Sequence, residues 1–193
     1  TVAGSPYTIS ATLSPAGVLG NYNITYNTAT FTIGQTTPTI TWSNPANITY
    51  GTALGGTQLN ATASVPGTFT YTPSAGTILN AGSGQNLHVD FVPTDTATYT
   101  NASADVAINV NKAVLTVVAD NQSINFGDPN PAFTFTYSAF VPGDTSADID
   151  TPPTCTVSGP HTNVGTYPIV CSGGTDNNYS FSYVNGTLSV GLV

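Results

Sequence analysis

An internal repeat constrains the fold of this chain more than any other feature of its sequence. Residues 21–33 align without a gap to residues 178–190, and upstream of them residues 6–9 resemble residues 166–169. Each copy has the pattern of a strand, a loop, an Asn-Tyr pair, a strand, a tight turn and a strand. A stretch of about 33 residues cannot build a hydrophobic core alone. We therefore interpret the first copy as the closing half of a domain, and the second copy as the closing half of a complete domain of the same kind.

The repeat predicts three segments along the chain. Residues 1–36 are the C-terminal half of a truncated domain, residues 37–111 are a domain of another kind, and residues 112–193 are a complete domain of the first kind. The junctions at Gly34–Pro38 and Asn109–Lys112 are short and not rich in Gly and Ser, so we expect an extended array. The front half of the first domain is either an upstream segment of a longer protein or strands of a neighbouring chain in a fibre.

Composition and periodicity predict an all-β fold. Charged residues make up 5% of the chain and hydrophobic residues 39%, which favours folding over disorder. The helix formers Glu, Arg and Met are absent, whereas Thr, Val, Ile, Tyr and Phe, which suit a pleated sheet, are common. Aromatic residues alternate with Thr over Phe133–Tyr137, which is the period of a strand with one wet face. Similar signals predict strands at Tyr7–Leu13, Asn23–Tyr26, Ala29–Ile33, Gly67–Tyr71, Asn86–Phe91, Val106–Val110, Val114–Ala119, Tyr167–Cys171 and Tyr179–Val190.

Charge and hydropathy argue against several functions. The formal net charge is −8, with one Lys and no Arg, which disfavours binding to nucleic acid or to anionic lipid. No apolar run reaches the roughly 18 residues that span a bilayer. No signal peptide opens the chain, so we expect a secretion signal and any anchor in other parts of a longer protein.

Two short patterns predict local geometry. Cys155 and Cys171 are the only cysteines, and both lie in strand-like stretches. In an oxidising compartment they would form a disulfide between neighbouring strands, with a free pair or a metal pair as the alternative. The pair Asn185-Gly186 is typical of a type I′ hairpin turn, because both residues tolerate positive φ.

Few polar side chains are candidates for chemistry. Asp144, Asp148 and Asp150 lie in one loop and are calcium-ligand candidates, although a solvated turn is the simpler interpretation. His88 and His161 have no further metal ligands near them in the sequence, and we expect both to face solvent. Because the sequence also lacks a Gly-x-Ser-x-Gly elbow, we predict no enzymatic activity and no cofactor.

The remaining polar features have surface interpretations. Lys112 carries the only ammonium group; a cross-link to a carboxyl group would need it buried, but it lies at a predicted junction, so we expect a solvated linker residue. Acceptors for N-linked sugar of the Asn-x-Ser/Thr type occur at Asn23, Asn47, Asn60, Asn101, Asn121, Asn178 and Asn185.

Motifs in the last two segments resemble known repeats. The run from Asp95 to Tyr99, Asp-Thr-Ala-Thr-Tyr, resembles the corner motif of immunoglobulin-type sandwiches, in which the Tyr caps a corner by a hydrogen bond to nearby backbone. With the stretches Thr39–Trp42 and Tyr50–Leu54, the middle segment resembles bacterial immunoglobulin-like repeats of large surface proteins. The last segment resembles the "mostly bacterial Ig-like" (MBG) repeats through Phe126–Pro131, Phe140–Asp144, Pro153–Cys155, Val164–Ile169, Asn178-Tyr179 and Asn185–Leu188.

These resemblances imply tandem immunoglobulin-like β-sandwiches and supply no catalytic residues. We expect an extracellular spacer, stalk or fibre segment that supports adhesion or filament assembly. Its partners would be neighbouring repeats of the same protein or other copies in a fibre. The alternative is an adhesin module that recognises a glycan or a protein of a host or neighbouring cell through sandwich-end loops, with Asp144–Pro153 and Gly82–Gln85 as candidates.

Overall fold

A computed structural model describes residues 2, 4–12, 20, 22–159, 161 and 163–192, and in this part of the chain the fold is all-β. The only helical feature bounded among these residues is a 3₁₀ turn at Ser146–Asp148. The strands are β1 (Tyr7–Ile9), β2 (Ala29–Phe31), β3 (Ile40–Thr41), β4 (Ile48–Thr49), β5 (Thr62–Ala63), β6 (Gly67–Thr72), β7 (Gly82–Pro93), β8 (Ala102–Asn111), β9 (Ala113–Ala119), β10 (Gln122–Asn125), β11 (Phe135–Ser138), β12 (Thr154–Val157), β13 (Gly165–Ser172), β14 (Tyr179–Val184) and β15 (Gly186–Gly191).

The strands form five sheets. β1 pairs with β2 and β3 pairs with β5, while larger sheets have the orders β4-β8-β7-β6, β10-β15-β13-β12 and β11-β9-β14. The chain divides into two compact units. The first contains Thr1–Ser43, Asn60–Pro73 and Leu87–Val106, and the second contains Asn44–Leu59, Ser74–Asn86 and Ala107–Val193. The domain boundaries expected after residues 36 and 111 stay predictions.

Alternate residues of β7 form the core of the first unit. Leu87, Val89 and Phe91 are buried, because successive side chains of a strand point to opposite faces. The ring of Phe69, on β6, lies 4.8 Å from the ring of Phe91. The burial of each such side chain contributes about 1.5–3 kcal/mol, so the alternation seen in the sequence is what holds this unit together.

The core of the second unit lies between two sheets. Val117 and Ala119 of β9 pack with Ile169 of β13 and with Leu188 and Val190 of β15, and all five are buried. Since β9 belongs to one sheet and β13 and β15 to the other, the two sheets pack face to face as a β-sandwich. The all-β prediction is therefore confirmed.

The two copies of the internal repeat pair in the same register. Tyr7 lies opposite Phe31 across β1 and β2. The aligned residues of the second copy, Tyr167 and Leu188, lie opposite each other across β13 and β15. Leu188 is fully buried, whereas Phe31 is 54% exposed, so the same pairing lacks a covering sheet among the described residues of the first copy.

The strand predicted at Asn23–Tyr26 is wrong, because no strand forms there. In the second copy the aligned strand is β14, which pairs in parallel with β9. The described part of the first copy contains no counterpart of β9, and a strand without a partner leaves its backbone groups unpaired. The strand predicted at Tyr7–Leu13 forms over Tyr7–Ile9 and does not continue through residues 10–12, and Leu13 lies outside the described residues.

The hairpin turn predicted at Asn185-Gly186 is also wrong. β14 and β15 belong to different sheets, so the chain crosses from one sheet to the other at Asn185. The backbone of Gly186 is not left-handed; instead, a Cβ atom at this position would lie 2.7 Å from the carbonyl oxygen of Ala119. Glycine is required here by the close approach of two backbones.

A disulfide links neighbouring strands of the sandwich. Cys155 of β12 lies directly opposite Cys171 of β13, and the two sulfur atoms are bonded. Cys171 is buried in the core between the sheets, and Cys155 packs against that core. The bridge therefore ties the edge strand β12 to the interior of the sandwich.

Replacement of Gly186 by Ala should destabilise the chain by about 2 kcal/mol, since the added methyl group overpacks a site walled by backbone. Gly191→Ala is the matched control on the same strand, because its Cβ position has no atom within 4 Å. Denaturant unfolding of both variants measures the difference. Equal midpoints would contradict the close-approach explanation.

Reduction of the disulfide should lower the free energy of unfolding by roughly 3 kcal/mol, the loop-closure value for a bridge of this span. The measurement is the denaturant midpoint with and without reductant. A variant with Ala at both Cys155 and Cys171 is the control, and its midpoint should not respond to reductant. An unchanged midpoint of the parent chain would show that the bridge adds no stability.

Candidate functional site: the Tyr50–Asp144–Tyr179 cluster

Two tyrosine hydroxyls meet at one carboxylate oxygen in the second unit. The Oδ2 atom of Asp144 accepts a hydrogen bond from Tyr50 at 2.9 Å and another from Tyr179 at 2.7 Å. The hydroxyl of Tyr179 in turn accepts a hydrogen bond from the backbone N–H of Val141 at 2.8 Å. The two tyrosine rings lie edge to face, with centroids 5.5 Å apart. Hydrogen bonds to a charged acceptor contribute about 1.5–3 kcal/mol each. The two bonds to Asp144 therefore help to hold together segments that are distant in the sequence.

A glycine turn positions Tyr50. This residue directly follows β4, and its N–H donates to the carbonyl oxygen of Asn111 at the end of β8. The next residue, Gly51, has φ of +92°, in the left-handed region that favours glycine. A Cβ atom on Gly51 would lie 2.8 Å from the side chain of Val141. Gly51 therefore permits both the turn and the close approach of the Val141 segment.

A second turn positions Asp144. Its N–H donates to the carbonyl oxygen of Val141 at 3.0 Å, and Gly143 between them has φ of +105°. This is the Val-Pro-Gly-Asp segment that the sequence singled out as an MBG motif. The turn directs the carboxylate of Asp144 toward Tyr179, the first residue of β14.

Apolar side chains surround the polar cluster. Tyr179 is 2% exposed and belongs to a core cluster with Leu115 and Ile149. The ring of Phe140 lies edge to face with that of Tyr179, with centroids 5.8 Å apart. Partial exclusion of water strengthens the hydrogen bonds to Asp144.

The cluster shifts the acidity of both tyrosines. Burial, followed by the hydrogen bond to Asp144, raises the pKa of Tyr179 to about 12. The same two causes, in the same order, raise the pKa of Tyr50. Both hydroxyls therefore stay protonated, and act as donors, throughout the physiological range.

A buried carboxylate next to the cluster was missed by the sequence analysis. Asp176 is 8% exposed, and its Oδ1 atom accepts hydrogen bonds from the N–H groups of Asn178 and Tyr179 at 2.7 and 2.8 Å. Its Oδ2 atom accepts from the N–H of Asp150 at 3.2 Å. Only the Asx-turn tendency of Asp before Asn-Tyr could have signalled this role. Asp176 fixes the start of β14 and so the position of Tyr179.

The Asn-Tyr pair makes further contacts in the same unit. The side chain of Asn178 accepts a hydrogen bond from the N–H of Ala81 at 2.9 Å and donates to Asn80 at 3.3 Å. Lys112 is exposed, and its ammonium group donates to the backbone carbonyl of Asp176 at 2.7 Å. The carboxylate of Asp176 is directed to backbone donors instead, which is not the arrangement needed for a Lys–carboxyl cross-link.

The structure does not bring the calcium candidates together. Asp144 serves the two tyrosines, whereas Asp148 accepts hydrogen bonds from the N–H and hydroxyl of Thr145 in a capping box. Asp150 accepts from the N–H of Asn177 at 3.0 Å. Across the described ranges, no three His, Cys, Asp or Glu side chains converge on a metal-sized site. These aspartates therefore act as acceptors within turns.

Hydrogen bonds to Asp95 form a turn at the corner that was predicted near Tyr99. The carboxylate of Asp95 accepts hydrogen bonds from the N–H groups of Ala97 and Thr98 at 3.1 and 3.2 Å, and Tyr99 N–H donates to the Asp95 carbonyl. The pKa of Asp95 is lowered from its usual value, chiefly by hydrogen bonds from Thr98. Asp95 thus forms a turn before Tyr99. The capping hydrogen bond from the Tyr99 side chain, which the resemblance implied, stays a prediction.

The two histidines differ in environment. His88 lies between buried residues of β7, and its ring nitrogens lie 2.9 Å from Asp105 and 3.3 Å from Asp90. These carboxylates, with Asp105 first, raise the pKa of His88. Both histidines were expected to face solvent, and both are half-buried instead; the ring of His161 packs edge to face on Tyr167.

The predicted glycosylation acceptors lie in two settings. Asn178 is half-buried, and its amide is hydrogen-bonded at both ends, so an attached sugar would displace these contacts. The other acceptors are exposed, namely Asn23, Asn47, Asn60, Asn101, Asn121 and Asn185.

The sandwich and its turns define an all-β repeat module. Residues 115–189 match the family model described as the MBG domain (YGX type). This match confirms the MBG resemblance of the last segment, and it contains both Asp144 and Tyr179. It suggests a repeat module of a bacterial surface protein. A search of curated proteins found no match to the chain. No helix among the described residues is long and apolar enough to cross a membrane.

Substitution of Asp144 by Asn should lower the pKa of Tyr179 below about 12, because the hydrogen bond to the carboxylate and its negative charge are removed, while burial, the larger cause of the raised pKa, remains. Carbon NMR of ring-labelled tyrosine measures the titration. Asp120→Asn is the control, since Asp120 bonds to Thr134 and does not contribute to this shift. A Tyr179 pKa that stays near 12 in Asp144→Asn would contradict the role of the carboxylate.

The same shift predicts how stability depends on alkaline pH. Tyr179 binds its proton more tightly in the folded state, so its contribution is complete below pH 10 and is lost as pH rises through about 12. Denaturant midpoints across this window should fall less steeply for Asp144→Asn than for the parent chain. Parallel curves would show that Tyr179 is not the titrating group.

Proposed function

We propose that this chain is a structural spacer segment, part of a stalk or fibre, of a large extracellular bacterial surface protein. The observation that carries the proposal is the Tyr50–Asp144–Tyr179 cluster. It joins the turn after β4 to the start of β14 in one compact unit, by hydrogen bonds and ring contacts. A spacer needs units that each hold a fixed shape, and the MBG match supports a repeat of a surface protein.

Surface chemistry supports an extracellular setting. The disulfide between Cys155 and Cys171 persists in oxidising compartments. The single Lys and the lack of Arg leave Lys112 as the one trypsin-type cleavage position in the sequence. A module exposed to external proteases gains resistance from both features.

The loops considered for the alternative adhesin function use their polar groups internally. In Asp144–Pro153, the carboxylates of Asp148 and Asp150 are bonded to local backbone. In Gly82–Gln85, the side chain of Gln85 donates to the carbonyl of Asn80. These contacts favour a scaffold over a module that binds a ligand through these loops.

An exchange experiment in the producing cell separates spacer from adhesin. Residues 37–191 of the parent protein are replaced by an unrelated, rigid immunoglobulin-like segment of equal length, or are deleted. For a spacer, the replacement should retain cell adhesion and the deletion should reduce it, because only reach is lost. Surface display, measured with an external epitope, is the control. A replacement that loses adhesion as fully as the deletion, with display intact, would favour the adhesin module.

A further inference from the structure

The turn after β10 repeats the geometry of the turn after β4. β4 pairs in parallel with β8, and β10 pairs in parallel with β15. Tyr50 N–H donates to the carbonyl of Asn111 at 2.8 Å, and Phe126 N–H donates to the carbonyl of Gly191 at 2.8 Å. Phe126 therefore occupies the position of Tyr50 at the end of its own strand pair.

The correspondence continues through the turn itself. Thr52 N–H donates to the carbonyl of Thr49 at 3.0 Å, and Asp128 N–H donates to the carbonyl of Asn125 at 3.0 Å. The glycines between them, Gly51 and Gly127, both have φ of +92°. The two turns thus have the same backbone geometry, and their sequences begin with Tyr-Gly in one and Phe-Gly in the other.

The two turns differ in what covers them. The ring of Tyr50 packs on Tyr179, and the Cβ position of Gly51 abuts Val141. By contrast, Phe126 is 52% exposed, and the Cβ position of Gly127 has no atom within 4 Å among the described residues. At position 51 the side chain of Val141 fills the space that the glycine leaves. At position 127 no described residue fills the corresponding space.

A groove lies beside the open turn. Its walls include Ile124 of β10, Asp128 and Pro129 of the turn, and Ser189 of β15. The groove has both polar and apolar walls, and Phe126 lies in the sequence between two of the residues that line it, Asn125 and Asp128. Such a surface is suited to a protein loop.

We propose that the Phe126 turn is a docking surface for a further MBG-type domain. That domain would cover Phe126 with the surface that here covers Tyr50, namely a Val-Pro-Gly-Asp turn and the Tyr that opens its β14 strand. The proposal rests on the spacer function, because a spacer needs each repeat to be held against the next one, and it takes the Tyr50 contact within the second unit as its template. The partner must be a domain whose corresponding surface is uncovered. In this chain that surface is already covered, since Val141 lies against Gly51 and Tyr179 lies against Tyr50.

The chemistry of the two aromatic residues fits this partner. Phe126 supplies the edge-to-face ring contact that Tyr50 makes with Tyr179, and such pairs add about 0.5–1.5 kcal/mol beyond area burial. Phe126 lacks a hydroxyl, so the docking domain's aspartate would keep only the hydrogen bond from its own tyrosine. A Phe126→Tyr variant should therefore dock at least as well as the parent.

The test extends the full chain after Leu192 with a second copy of residues 113–192. Two samples are compared, one with only the added copy isotope-labelled and one with only the remainder labelled, and NMR relaxation gives the rotational correlation time of each part. The added copy and the remainder should have equal rotational correlation times in the parent, and also in Phe126→Tyr. Phe126→Ser should lower the time of the added copy to that of a freely tethered domain. Val184→Ser is the matched control, because Val184 is a similarly exposed apolar residue, at 47%, and lies on β14 away from the groove.

Independent tumbling of the added copy in the parent, or equal effects of Phe126→Ser and Val184→Ser, would overturn the proposal. The unfolding midpoint of the unextended chain should be unchanged by Phe126→Ser, which checks that the variant folds. Labelling the original residues 113–192 instead reports on the Tyr50 contact. If only the added copy is loose, the docking inference fails alone; if both are loose, the spacer proposal fails as well.

Discussion

Burial of alternate apolar side chains between two sheets is the interaction on which the second unit depends. Leu115 and Val117 of β9 are fully buried, as are Ile169 of β13 and Leu188 of β15. A chain with so few charged residues has little else with which to oppose the entropy of ordering. Among the polar groups beside this core, Asp144, Asp176 and Tyr179 find hydrogen-bond partners at turns. The hydroxyl of Tyr137 is instead buried without a partner among the described residues.

The aspartates show how hydrogen bonding at turns shapes the molecule. Asp176 accepts three backbone hydrogen bonds and fixes the start of β14, while Asp144 gathers two tyrosine hydroxyls. Neither carboxylate is paired with a Lys or Arg side chain, since the one ammonium group, on Lys112, bonds to a backbone carbonyl. Negative charge in this protein is thus stabilised by N–H and O–H donors. This arrangement lets an acidic chain build ordered turns without basic residues.

The accuracy of the sequence analysis followed the range of the interactions concerned. The alternation at Phe133–Tyr137 and the apolar runs of β7 and β9 predicted strands, because the period of two is a local property. The pair Asn185-Gly186 gave a wrong prediction of a hairpin turn, because the same residues suit both a hairpin turn and a crossing between sheets. The strand expected at Asn23–Tyr26 failed because a strand also requires a neighbour.

The sequence by itself determined the all-β class, the MBG resemblance of the last segment, the repeat and the candidate pairing of Cys155 with Cys171. Each of these is written in composition, period or spacing. Only the tertiary structure decided that Asp144 serves Tyr50 and Tyr179 rather than a metal, because the residues are up to 94 positions apart. It also revealed that the Tyr50 and Phe126 turns share one geometry but differ in cover, since exposure depends on which distant segment packs there.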